Sequence, residues 1–115
     1  METSEILFKA ADVIVQRGWW NKGWMPDGEN PRTCPVCVLA AINVAAGRNP
    51  DAGIYLDPAA EDAALALAIH LGEEADEFSV TEIVGETWND GTCETAEQAI
   101  SALREAAQAE AEAGR

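Results

Sequence analysis

Between Pro35 and Gly47 lie eleven residues, Val36 to Ala46, with one strongly polar side chain, Asn43. A helix without a polar face cannot rest on a surface and has to be enclosed by its neighbours. Proline suits a first helical turn and glycine a stop, so the spacing predicts a helix that opens at Cys34 or Pro35, about 35–46. A second such segment follows Asp57-Pro58, a cap and first-turn proline, and runs to Leu71 before Gly72, about 58–71. Ala63 to Ile69 alternates large and small residues as a strand can. The cap, the length and the alanines favour helix. Two apolar rods in 115 residues leave the rest of the chain to cover them.

The remaining segments have the pattern for that task. Thr3 or Ser4 can cap a first helix whose Ile6, Leu7, Ala10, Val13 and Ile14 share a stripe, with Gly18 as its stop. Ser79-Val-Thr-Glu82 reads as a capping box for a short helix from Val80 to about Trp88, followed by an Asn89-Asp90-Gly91 turn. Thr95-Ala-Glu-Gln98 is a second box, opening a helix with Ala99, Ile100, Leu103, Ala106 and Ala107 on one face. A turn at 48–53 and an extended piece at 54–56 join the two rods. The tail, 108–115, has little to bury and is expected to fray. The expectation is an all-α, compact single-domain bundle over residues 1–115, about five helices with two central.

Charge is distributed unevenly. Residues 1–50 hold five acids and five bases; residues 51–115 hold sixteen acids against Arg104 and Arg115, so the net −14 arises there. Such a field repels nucleic acid and attracts basic partners, although solubility alone also accounts for it. The first residues, Met1 to Gly18, lack a basic n-region and a long apolar run, so no signal peptide is expected. The longest apolar stretch, Ala63 to Leu71, contains His70 and is too short to span a bilayer. A cytoplasmic protein that binds neither membrane nor nucleic acid directly is the expectation. Its oligomeric state stays open.

Residues 19–33 read as a loop rich in Gly, Pro and Asn that holds Trp19, Trp20 and Trp24. At least one indole should fold back over the core, and any left partly exposed would suit a protein partner. Trp88, Asn89 and Asp90 are a second candidate recognition patch. The alternative packs Trp88 under the bundle while Asn89 or Asp90 bonds turn backbone.

Cys34-Pro-Val-Cys37 is a C-x-x-C pair at a predicted helix start, where a helix dipole can activate the first thiol. The βαβ setting of redox motifs is missing. Cys34, Cys37, Cys93 and His70 are the only cysteines and histidine, and together form a Cys3His set able to hold structural zinc. The alternative makes Cys37 a small core residue and His70 a satisfied helix residue, with no cofactor. Asn43, if buried, needs hydrogen-bond partners. A phosphate-cradling loop, an H-E-x-x-H motif and a nucleophile elbow are all missing.

Three features in order carry a resemblance. Ala10-Ala11-Asp12-Val13-Ile14 leads to Gly18-Trp19; Cys37-Val-Leu-Ala-Ala-Ile42 lies on an apolar helix; Trp88-Asn89-Asp90 precedes Thr95-Ala-Glu and a closing Leu103-Arg104-Glu105-Ala106-Ala107. In these the chain resembles a family of small proteins, a domain of unknown function, from actinobacteria and their phages. Trp20, Trp24 and the Cys-Pro-Val-Cys start depart from that pattern. The resemblance implies a bacterial or phage source and assigns no activity. The functional expectation is a small acidic accessory protein that binds a protein partner, one form being a nucleic-acid mimic that blocks a basic groove. A zinc-stabilised structural domain and a small enzyme are the alternatives.

Overall fold

The computed structural model describes residues 1–48 and 56–115, so the predicted turn and extended piece lie largely outside the described residues. Among the described residues five helices follow in order: α1 (Thr3–Arg17), α2 (Val38–Ala45), α3 (Pro58–His70), a π-helix (Thr81–Thr92) and α4 (Ala96–Glu112). The chain is an all-α bundle. Among the described residues the nearest approach to a sheet is one isolated parallel bridge, Trp19 to Val36.

α1 and α4 form the most extensive helix pairing. Both present alanine at the positions that face inward: Ala10 and Ala11 on α1, Ala99, Ala102, Ala106 and Ala107 on α4, all buried. Small side chains let two backbones approach, and Ile6, Leu7, Ile14 and Leu103 fill the space around them. Ser4 does not cap α1 through its side chain. Its backbone N–H, an orphan of the first turn, donates instead to the Arg115 carbonyl at 3.1 Å. Residues 108–115, expected to fray, are helical through Glu112, and Arg115 also pairs with Glu110 at 2.8 Å.

α2 is the enclosed rod: seven of its eight residues are buried. It is shorter than the apolar run that encodes it. Pro35 does not start it; Cys37 is its N-cap, in extended conformation, with Sγ accepting from the Ala40 N–H at 3.4 Å. The reason lies in the preceding loop. Val36 donates to the Gly18 carbonyl at 3.1 Å and accepts from Trp20 N–H at 3.0 Å, which commits it to a bridge and keeps it out of the helix.

α3 opens as its sequence indicates, Asp57 accepting from the Ala60 N–H at 2.9 Å with Pro58 in the first turn. It is not enclosed to the same degree as α2. Ala60, Ala63, Ala64, Leu67 and Ala68 are buried, whereas Ile69 is 74% exposed. Its neighbours cover the face that carries these alanines and Leu67, which recur at helical spacing. Thr95 caps α4 by accepting from the Gln98 N–H at 3.2 Å, and Gln98 Oε1 reaches back to the Glu94 N–H at 2.6 Å.

The Ser79–Glu82 box is absent. A reciprocal pair sits three residues earlier: Asp76 Oδ1 accepts from the N–H groups of Phe78 and Ser79 at 2.9 and 3.0 Å, while Ser79 Oγ accepts from the Asp76 N–H at 3.1 Å. A carboxylate is the stronger acceptor for orphan donors, and the bond from Phe78 holds the Asp76 carboxyl below the usual range.

The element that follows is a π-helix of twelve residues, not an α-helix that ends in a turn at Asn89. Its buried positions explain it. Val80, Val84, Asn89 and Cys93 all face inward, at separations of four, five and four residues. An α-helix repeats every 3.6 residues and would put Asn89 and Cys93 on the side opposite Val80 and Val84. The wider i→i+5 turn keeps all four on one stripe.

Candidate functional site

The loop 19–33 folds back across the N-terminus of α2 and meets the π-helix there. Arg17 anchors its far end, donating from Nε to the Cys34 carbonyl at 2.8 Å and from Nη2 to the Pro31 carbonyl at 2.6 Å. Gly18, at φ +96°, turns the chain out of α1 against Pro35, a conformation that a side chain would strain. Cys37 N–H donates to the Trp24 carbonyl at 3.2 Å, which ties the middle of the loop to the helix cap.

Asn89 joins these parts. It is fully buried, and both ends of its amide are used. Oδ1 accepts from the Trp19 indole N–H at 2.8 Å and from the Val38 N–H at 3.1 Å. Nδ2 donates to the Trp20 carbonyl at 2.9 Å and to Asp90 Oδ1 at 2.8 Å. Val38 is the first residue of α2, so its N–H has no partner within the helix. Asn89 therefore caps α2 from another element, fixes the Trp loop and orients the Asp90 carboxylate.

Beside this junction is a partly open cavity of about 120 Å³. Trp24 and Gly23 of the loop form one wall, Cys37 and Leu39 of α2 the floor, and Thr81, Gly85, Glu86 and Asp90 of the π-helix the other wall. Its inner surface is almost wholly apolar, and the two charged residues that border it are both acids, Glu86 and Asp90. Gly85 is required for the close approach of the π-helix to α2: a Cβ there would lie 2.9 Å from Leu39 Cδ1. Burial pushes the Cys37 thiol up to about 12, so it stays protonated at neutral pH and makes a poor nucleophile.

The structure brings together Trp19, Trp20, Trp24, Cys37, Asn89 and Asp90 from the sequence candidates. Trp19 and Trp24 are half-buried and pack on the core, as does Trp88, which does not line the cavity. The Trp20 indole N–H is buried without a partner. The four candidate zinc ligands have separate engagements. Cys37 caps α2, Cys93 donates to the Thr95 carbonyl at 3.4 Å, Cys34 lies 3.8 Å from Arg17 Nη2, and His70 lies 3.5 Å from Glu105. Among the described residues no three His, Cys, Asp or Glu side chains come together to hold a metal. Nor is any helix of the described residues long and apolar enough to cross a membrane.

Gly23, Leu39, Thr81, Gly85 and Glu86 also line the cavity and were not among the sequence candidates. The signal that could have found the last three is the four-five-four spacing of Val80, Val84, Asn89 and Cys93, which no α-helical template matches.

No curated protein and no solved structure matches the chain. The Trp loop, the α2 cap, the π-helix and nearly all of α4 fall within residues 1–109, which match the model described as a family of unknown function, DUF6197, and the chain belongs to that family.

Proposed function

We propose that this chain is a small acidic accessory protein, of bacterial or phage origin and working in the cytoplasm, that binds a basic protein partner. The observation that carries the reading is the cavity between Trp24 and the π-helix, an apolar hollow whose two charged lining residues, Glu86 and Asp90, are both acids. The surrounding sequence adds to it. From Glu73 to Glu97 there are nine acids and no lysine or arginine, so more than half of the sixteen acids of residues 51–115 fall on the connector, the π-helix and the start of α4. Glu73, Glu74, Asp76, Glu77, Glu82 and Glu86 are exposed. A field of one sign speeds encounter with a partner of the other, and a tryptophan in a partly covered pocket supplies the affinity that exposed charges do not. Carboxylates presented in this way would occupy a groove that otherwise takes nucleic-acid phosphates.

Affinity capture from a lysate of the source cells tests the reading. The expected result is retention of basic proteins, release by about 0.5 M salt as exposed charges are screened, and loss of retention with Trp24→Ala. Retention that ignores both salt and the substitution would overturn it.

A further inference from the structure

We infer that the cavity between the Trp loop and the π-helix takes one lysine side chain of the partner. This rests on the reading above and names the group that is recognised. An apolar cavity of about 150 Å³ accommodates a benzene ring, so about 120 Å³ suits a single unbranched stem. Trp24, Leu39 and Gly85 offer that stem an apolar surface, and Cys37 contributes a neutral thiol. At the π-helical wall stand Glu86, which has no ion-pair partner among the described residues, and Asp90, whose Oδ1 is held by Asn89. Acidic residues that border an apolar hollow favour a ligand that is oily along its length and cationic at the end left near the mouth. Lysine meets this as a compact point charge with three rotatable donors. Arginine shares the oily stem but ends in a wider planar head, and a hollow of about 120 Å³ takes the slimmer lysine chain along more of its length. Lys and Arg both bury their stems while keeping the head wet, so the partly open mouth is no obstacle.

The test uses the intact chain and n-butylammonium chloride, the lysine side chain without its backbone. Titration is followed by NMR at the Trp24 indole N–H and the Gly85 amide. Butylammonium is expected to shift both, with 1-butanol about threefold weaker, the loss of one partly exposed charge interaction. Glu86→Gln is expected to reduce the difference between the two probes, while leaving the spectrum otherwise folded. Equal shifts from butanol, tighter binding of n-propylguanidinium, or no shift at either group would each overturn the lysine assignment. The two proposals fail separately. Salt-sensitive, Trp24-dependent capture without butylammonium binding leaves a basic partner held by other contacts. Butylammonium binding without capture keeps the site and removes the partner.

Discussion

The Trp19 indole N–H donates to Asn89 Oδ1 at 2.8 Å, across 70 residues of sequence. That bond and its three companions join the first loop, the second helix and the π-helix at one buried amide. Removing a buried partner strands the groups it satisfied, and each stranded group carries a penalty of about 1–3 kcal/mol. Asn89→Ala leaves the Trp19 indole, the Val38 N–H and the Trp20 carbonyl unmatched. It is expected to lower the unfolding free energy by about 3 kcal/mol or more, measured by urea denaturation. Asn89→Asp should be at least as damaging, since it replaces two donated bonds with a second carboxylate against Asp90.

The Cys37 thiol gives the fold an alkaline limit. Its folded value is raised from 9.0 to about 12 by burial. Below pH 9 the thiol is protonated in both states and its contribution is fully present. Above pH 9 the unfolded chain loses the proton and the folded chain keeps it, so stability falls by about 1.4 kcal/mol per pH unit up to the folded value. Urea midpoints at pH 8 and pH 10 measure this. Cys37→Ser, which can still cap α2, should flatten most of the slope. Cys93, also raised by burial, adds a loss of the same sign as pH rises above its ordinary range.

Gly85 is a test of how closely the π-helix meets α2. An alanine there gains about 1 kcal/mol of helix propensity. Its Cβ would lie 2.9 Å from Leu39 Cδ1, so the Leu39 side chain, which floors the cavity, would have to turn out of its packed position. Overpacking of this kind typically costs about 1–3 kcal/mol. Gly85→Ala is therefore expected to be less stable by about 1 kcal/mol, the difference between those two effects, with a shifted Leu39 methyl resonance. An unchanged melting temperature would mean that the two helices stand further apart.

The cysteines and the histidine give a prediction about metal. Cys37 and Cys93 spend their sulfurs on backbone groups, and His70 lies beside Glu105 on another face. Structural zinc normally contributes folding energy directly. Here, treatment with a chelator is expected to leave the melting temperature unchanged, and elemental analysis of purified protein to find well below one zinc per chain. Stoichiometric zinc with a fall in melting temperature on chelation would restore the Cys3His reading.

Local signals were enough to place the helices. The apolar run at Val36 to Ala46, the Asp57-Pro58 cap, the Thr95 box and the stop at Gly18 are each decided within a few residues. Capping, proline geometry and 3.6-residue periodicity act at that range, and the structure keeps them. Where the chain departs from this reading, a distant group intervenes. Val36 leaves α2 because Gly18 and Trp20 claim its backbone; Ser4 is capped by the last residue of the chain. The segment 80–93 winds as a π-helix so that Asn89 can face Trp19 and Val38 while Val80, Val84 and Cys93 stay inside. The cavity is a product of that winding. Its walls come from three stretches of chain, and only long-range hydrogen bonds and packing decide that Trp24 should stand opposite Glu86 and Asp90.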